Sequence, residues 1–95
     1  MPQVVMATVF IPPVLQQFAG GQAKVEVPGR TLRQVFVNLE EAYPAMREQL
    51  VVDGDIRPGL AVAVDNEITA EGLVQVVEPD SEVRILPAVG GGSGA

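Results

Sequence analysis

A single helix-forming pattern, set among short segments rich in β-branched residues, is the feature that most constrains the fold of this chain. Apolar residues recur at helical spacing over 32–39, with polar residues on the other faces. Thr31 and Gln34 form a capping-box pattern, in which each side chain can accept a hydrogen bond from the other residue's backbone N–H. Pro44 disfavours helical geometry at Tyr43, so the sequence predicts a helix that begins after Thr31 and ends near Tyr43.

The segments around this helix have the composition of β-strands. Strands are predicted over residues 4–11, 23–27, 60–64 and 82–86, and a second short helix over 45–50. Residues 73–77 fit either a short strand or packed coil. This order predicts an α+β fold with a mixed sheet of four to five strands over one main helix. The folded domain is expected to cover residues 1–89, with a tail at 90–95.

The composition excludes several classes of function. The chain has 95 residues and contains no Cys, His or Trp. Without Cys or His, the usual zinc, iron–sulfur and haem ligand sets cannot be assembled, so no metal site is expected. The Ser-His and Cys-His pairs of nucleophilic catalysis are excluded for the same reason.

The charge balance is acidic. Six basic residues stand against 12 acidic residues, which gives a net charge of −6. This charge repels phosphate backbones, so no nucleic-acid partner is expected, and a basic partner surface is the better complement. The apolar runs are far shorter than the roughly 20 residues of a membrane span, and no signal peptide is recognisable. We therefore expect a cytoplasmic protein with no membrane partner.

The C-terminal segment from Gly90 to Ala95 contains no apolar side chain larger than alanine. Such a segment cannot pack into a core and is expected to be mobile. One interpretation is a disordered end or a glycine-serine remnant of cloning. The other is functional, because glycine lacks a Cβ and a Gly-Gly strip can thread through a narrow channel to an enzyme. The carboxylate presented there would be that of Gly92, after removal of Ser93-Gly94-Ala95.

Several stretches, in this order, are similar to those of one protein family. They are Ile11-Pro12-Pro13-Val14-Leu15, Phe18-Ala19-Gly20-Gly21, Thr31-Leu32, Leu39 with Tyr43-Pro44, Val62-Ala63-Val64-Asp65-Asn66-Glu67, and Glu82-Val83-Arg84-Ile85-Leu86-Pro87-Ala88-Val89-Gly90-Gly91-Gly92. With them the chain resembles the ubiquitin-like β-grasp sulfur carriers, such as the small subunit of molybdopterin synthase and the carriers of thiamine and cysteine biosynthesis. The resemblance covers nearly the whole chain and implies the β-grasp fold.

The resemblance also implies chemistry that is performed on this protein by others. A ubiquitin-activating-type enzyme would use ATP to adenylate the carboxylate of Gly92, and a sulfur donor would convert it to a thiocarboxylate. Gly90 and Gly91 would thread through the enzyme's channel. The chain itself would bind no cofactor and have no catalytic residues. A sulfur-accepting synthase for cysteine, molybdopterin, thiamine or thiolated RNA would then be its partner, with a mild preference for cysteine.

Two further interpretations of the tail stay open from the sequence. Most members of the family end at the second glycine, so Ser93-Gly94-Ala95 would be removed by a metalloprotease or would be a remnant of expression. The alternative function is that of a ubiquitin-like modifier, joined through Gly92 to lysines of target proteins.

The resemblance further suggests that an exposed sheet face docks the activating enzyme. Leu86, Pro87, Val89, Arg84 and Leu60 are the candidate docking residues, with Val62 as a further candidate. The three phenylalanines, Phe10, Phe18 and Phe36, are predicted to pack in the core or under loops. The acidic pairs Glu40-Glu41, Asp53 with Asp55, and Asp80 with Glu82 are interpreted as solvated surface and turn residues rather than catalytic groups.

Overall fold

Seven strands form two sheets in the computed structural model, which describes residues 6–87. The strands are β1 (Met6–Phe10), β2 (Lys24–Pro28), β3 (Val51–Val52), β4 (Asp55–Ile56), β5 (Leu60–Val64), β6 (Glu67–Ile68) and β7 (Glu82–Pro87). The main sheet has the order β2-β1-β7-β5-β6, and β3 pairs with β4 in a separate hairpin. β1 and β7 are parallel and the other neighbours antiparallel, so the predicted mixed sheet is confirmed.

One principal helix accompanies the sheet, as predicted. The helices are α1 (Pro13–Gln16), α2 (Leu32–Ala42) and α3 (Arg47–Leu50), with 3-10 turns at Gln17–Ala19, Pro44–Met46 and Gly72–Val74. None of the helices in residues 6–87 is long and apolar enough to cross a membrane.

The core lies between α2 and one face of the main sheet. The helix buries its apolar stripe of Leu32, Val35, Phe36 and Leu39, each at most 1% exposed. Alternate residues of the strands meet it, namely Ala7, Val9, Val27, Val62, Val64, Val83 and Ile85. Because fully burying one such aliphatic or aromatic side chain contributes about 1.5–3 kcal/mol, this layer is the main source of stability.

The start of α2 differs from the predicted capping box in one hydrogen bond. The Thr31 hydroxyl oxygen accepts a hydrogen bond from the Gln34 backbone N–H at 3.2 Å, as predicted. The Gln34 side-chain oxygen, however, accepts from the backbone N–H of Arg30 at 2.8 Å, so the prediction that it caps Thr31 is wrong. A further hydrogen bond holds the helix start. The backbone N–H of Leu32 donates to the carbonyl of Gln75, which ties the helix to the segment before β7.

β7 occupies the middle of the sheet and leads directly into the C-terminal residues. It pairs with β1 on one side, where Val9 faces Val83, and with β5 on the other, where Val62 faces Ile85. A central strand is held by backbone hydrogen bonds along both edges. The last described residue of the chain, Pro87, therefore ends a strand that is anchored on both sides.

Two short hairpins were not recognisable from the sequence. One joins β3 to β4 through Asp53 and Gly54, and the other joins β5 to β6 through Asp65 and Asn66; all four turn residues have positive φ. A two-residue strand is too short to show alternation of apolar and polar residues, so the turn residues were the only indication of these hairpins in the sequence. The ambiguous segment 73–77 is a 3-10 turn followed by a single bridge between Thr31 and Val76.

The Asp65 carboxylate fixes the start of β7. Its two oxygens accept hydrogen bonds from the Ser81 hydroxyl at 2.8 Å and from the Glu82 backbone N–H at 2.9 Å. Ser81 is only 2% exposed, so its hydroxyl needs this partner. The turn after β5 thereby sets the position at which the final strand enters the sheet.

A glycine before α2 is required by a close backbone approach. Gly29 has φ +153°, and a Cβ there would lie 2.7 Å from both the Cγ2 and the backbone nitrogen of Val35. We expect Gly29→Ala to lower the free energy of unfolding by about 2–4 kcal/mol, because the steric conflict adds to backbone strain. Gly54→Ala is the control, since Gly54 also has positive φ but nothing within 4 Å of a built Cβ. Equal losses for both variants in urea titrations would show that the contact with Val35 is unimportant.

Candidate functional site on the open sheet face

The side chains of the main sheet alternate between the core and the opposite face. In β7, Val83 and Ile85 point into the core, so Glu82, Arg84 and Leu86 point to the other side. The same alternation in β1 places Phe10 on that side. We call this second side of the sheet the open face.

A row of paired residues crosses the whole open face. The register aligns, from one edge of the sheet to the other, Lys24, Phe10, Arg84, Ala63 and Ile68. The row therefore brings together residues from five strands, among them β1 and β7, which lie at opposite ends of the sequence. It is mainly apolar, with its positive charges at the edge and in the middle.

Arg84 is held in place at the centre of this row. Its guanidinium carbon lies 4.0 Å from the centroid of the Phe10 ring. One of its terminal nitrogens also lies 3.3 Å from a carboxylate oxygen of Glu82. A cation–π contact at a partly exposed site contributes about 0.5–1 kcal/mol, so the ring and the carboxylate together restrain the guanidinium. The result is an oriented positive group on an apolar surface.

The apolar part of the open face adjoins the C-terminal end of β7. Leu86 is 38% exposed and Ile68 is 59% exposed. A shallow groove, with Pro12 and Pro13 along one wall and Leu86 and Pro87 along the other, lies at this end of the sheet. Ala61 pairs with Leu86 and so lies on the same side of the sheet. We call Phe10, Ala61, Ile68, Arg84 and Leu86 the open-face patch. It adjoins the end of β7, where the described part of the chain ends.

The structure separates the predicted docking residues into three groups. Arg84 and Leu86 lie on the open face, and Pro87 is exposed at the end of β7. Val62 is 1% exposed in the core, so the suggestion that it docks a partner is wrong. Leu60 shares the inward side of β5 with Val62 and is half-buried against the core, and its docking role stays a prediction. Val89 and the three glycines lie outside the described residues.

The prediction that Phe10 packs in the core is wrong, whereas that for Phe36 is confirmed. Phe10 is half-buried on the open face beneath Arg84, while Phe36 is 1% exposed. Every residue of β1 except Thr8 is apolar, so alternation could not show which side faced the core. The side chain of Thr8 points to the same side of the sheet as that of Phe10. This single polar residue was the one indication in β1 that Phe10 faces away from the core.

Five of the six residues in the acidic pairs are exposed in turns or on the surface, and Glu40 is the exception. Asp55, for example, accepts a hydrogen bond from the backbone N–H of Ile56 at 2.8 Å. Within residues 6–87, no group of three or more acidic side chains is arranged to hold a metal ion. The interpretation of Glu40 as a solvated surface residue is wrong, because its side chain is only 12% exposed. Burial raises the pKa of Glu40 despite the opposing effect of the nearby Arg47. Glu40 lies on α2, away from the open face.

The five-stranded mixed sheet packed against one main helix defines a class, the ubiquitin-like β-grasp proteins. The sequence model of the ThiS family matches residues 9–92, and the chain belongs to that family. The match ends at Gly92, which is the residue singled out from the sequence.

Named relatives agree with the family assignment. The sulfur carrier protein CysO of Mycobacterium tuberculosis H37Rv is 34% identical over 90 residues, which cover 90% of this chain and 97% of the relative. A chain in the crystal structure of the Amycolatopsis orientalis BexX/CysO complex superimposes with a TM-score of 0.84 and 31% identity, covering 90% of this chain and 99% of that one. The solution structure of small archaeal modifier protein 1 from Methanosarcina acetivorans superimposes with a TM-score of 0.79 and 22% identity, covering 96% of this chain and 100% of that one. At this identity the likeness supports the fold and nothing further.

Proposed function

We propose that this protein is a sulfur carrier whose cargo is held as a thiocarboxylate on Gly92. The observation that carries the proposal is the family match, which spans the chain and ends at Gly92. The relatives named as sulfur carriers in Mycobacterium cover the same length of chain. In this role residues 1–89 form the folded domain and residues 90–95 the tail.

The chemistry explains why a partner enzyme is needed. A carboxylate is a poor electrophile, so the Gly92 carboxylate first attacks the α-phosphate of ATP and releases pyrophosphate. The acyl-adenylate then reacts with a sulfide-equivalent donor, which forms a carbon–sulfur bond and expels AMP. The product carries one sulfur in place of one oxygen. ATP is bound by the activating enzyme, and no residue of this chain is assigned a catalytic role.

The three residues after Gly92 require one earlier step. In the full chain the carbonyl of Gly92 is part of the peptide bond to Ser93, so it has no free carboxylate. Hydrolysis of that bond by a metalloprotease would release Ser-Gly-Ala and expose the carboxylate. Gly90 and Gly91 then provide a strip without Cβ atoms that a narrow channel can accept.

The open-face patch is the surface that we assign to the activating enzyme. It carries exposed apolar side chains and one restrained guanidinium, and it lies at the end of the sheet from which the tail continues. An interface with a central arginine among apolar contacts is typical of energetic hot spots. A partner surface that fits this patch presents apolar side chains around a carboxylate. Leu86, Pro87 and Arg84 keep their proposed docking role. Val89, which follows them in the sequence, is assigned the same role.

Charge reversal at the centre of the patch tests this assignment. We expect Arg84→Glu, in a chain ending at Gly92, to raise the KM for activation about tenfold, because a buried charge pair would become repulsive. The assay is ATP–pyrophosphate exchange with the activating enzyme. Arg30→Glu is the matched control, because it changes the net charge equally at an exposed position outside the sheet, in the segment between β2 and α2. An equal rise in KM for both variants would mean that net charge, rather than the patch, governs binding.

The function itself is tested by the intact mass of untagged protein recovered from its native host. Loss of Ser-Gly-Ala with one oxygen replaced by sulfur is the expected result. An unchanged full-length mass in cells that require the pathway would contradict the carrier role. A stable ladder of conjugates joined through Gly92 would support the alternative, a protein modifier.

A further inference from the structure

A groove lies on the helix side of the molecule, opposite the open face. One wall is α2, which contributes Arg33, Val37 and Glu40 at helical spacing. Arg47 and Val51, from the segment after α2, form the other wall. We call this feature the helix-side groove.

The groove has an apolar floor and a size that suits side chains rather than a cofactor. Phe36 and Leu73 line its base and are 1% and 4% exposed. Its volume is about 240 Å³, below the roughly 300–1,000 Å³ of sites for drug-sized ligands. The groove therefore has room for one or two side chains from another molecule.

An exposed apolar side chain stands in the wall of the groove. Val37 is 47% exposed and lies above the buried Phe36 and Leu73 of the floor. A single exposed apolar residue is common, but one that lines a concave site with an apolar floor favours contact with another apolar group. The first property required of a partner is thus an apolar side chain.

The charged residues of the groove specify the second property required of a partner. Arg47 lies 3.7 Å from Glu40 and is itself 68% exposed, which leaves its terminal nitrogens accessible. Arg33 is exposed and has no carboxylate within 4.0 Å in residues 6–87, which contain every Asp and Glu of the chain. Two guanidinium groups therefore face one carboxylate, a local positive surplus in a protein of net charge −6.

Glu40 does not cancel this surplus for an incoming ligand. Its side chain is only 12% exposed, and its one ion pair in the described part of the chain is with Arg47. Burial raises the pKa of Glu40, so its charged form is less favoured than in water. The accessible groups on the rim are the two arginines, and their complement is an anion.

We propose that the helix-side groove docks a protein segment in which an aliphatic or aromatic side chain stands next to an aspartate or glutamate. The apolar side chain fills the space over Phe36 and Leu73. The carboxylate pairs with Arg33 and with the accessible nitrogens of Arg47. Because the groove and the open-face patch lie on opposite sides of one domain, this partner binds while the open face is occupied. The protein can then join two partners in one complex.

Selection of a displayed library of random short peptides against the full chain tests the proposal. We expect enrichment of peptides that combine apolar residues with Asp or Glu. Synthetic copies of the enriched peptides should lose about tenfold in affinity or more with Arg33→Glu or Val37→Asp, as for a removed charge pair or anchor. Both substituted residues are exposed, so folding should be retained, and circular dichroism checks this. Arg84→Glu, on the open face, is the matched control and should leave affinity unchanged.

Three results would overturn the proposal. The first is enrichment of Lys- and Arg-rich peptides whose binding Arg33→Glu strengthens, which would make Glu40 the recognition group. The second is enriched peptides whose binding depends on Arg84 rather than Arg33. The third is no enrichment over the starting library. ATP–pyrophosphate exchange with Arg33→Glu and Val37→Asp, in chains ending at Gly92, should be unchanged, so failure of this proposal is distinguishable from failure of the carrier function.

Discussion

A chain that ends at Gly92 will be adenylated by the activating enzyme, and its Gly92→Val variant will not. The β-branched valine restricts the backbone and adds a side chain where the channel is expected to accept only glycine. A displacement of the reacting carbon by about 1 Å is enough to lower a rate roughly 100-fold, and we expect at least that loss. The measurement is ATP–pyrophosphate exchange at saturating chain concentration.

The full-length chain provides the first control, because its Gly92 carbonyl is bonded to Ser93 and offers no carboxylate. It should show no exchange until Ser-Gly-Ala has been removed. The second control is stability: the core of the described residues runs from Ala7 to Ile85, so Gly92→Val should leave the urea midpoint unchanged. Normal exchange by the valine variant, or by the unprocessed chain, would refute the assignment of Gly92.

Phe36→Ala should remove a large part of the stability of the folded domain. Phe36 is 1% exposed at the centre of the contact between α2 and the sheet. Truncating a buried phenylalanine removes its transfer free energy and leaves a cavity, which together cost about 3–5 kcal/mol. The whole stability of a small domain is about 5–15 kcal/mol, so the variant would be close to unfolding. Urea denaturation followed by circular dichroism measures the change.

Phe10→Ala is the matched control, because it makes the same chemical change on the open face. Phe10 is only half-buried there, and its main named contact is with Arg84. We expect a loss of about 1 kcal/mol from that contact. If the two variants lost equal stability, the assignment of one phenylalanine to the core and the other to the surface would be wrong.

The sequence predicted the principal helix because its information is local. Helical spacing over 32–39, a cap at Thr31 and a proline after Tyr43 act within a few residues of one another, and the structure places α2 at Leu32–Ala42. The candidate tail could also be predicted from composition, because only glycine, serine and alanine follow Val89. That Gly92 becomes the site of the thiocarboxylate stays a prediction.

The faces of the strands were harder to predict. β1 and β5 are almost wholly apolar, so both possible orientations satisfy their composition. The placement of Val62 in the core and of Phe10 on the surface depends on pairing with β7, which lies far along the chain. Pairing between distant segments leaves no periodic signal in either one.

By itself, the sequence determined the class of the fold, the main helix and its buried stripe, and the exclusion of the usual Cys- and His-based metal and catalytic chemistry. The fold class follows from the order of the segments and their resemblance to one family, and the other two depend on residue type or on spacing within one segment. Only the tertiary structure decided that Arg84 stacks on Phe10, and that Arg33, Arg47 and Leu73 line one groove. Those arrangements join residues from separate elements, and packing of the helix on the sheet, rather than any local preference, brings them together.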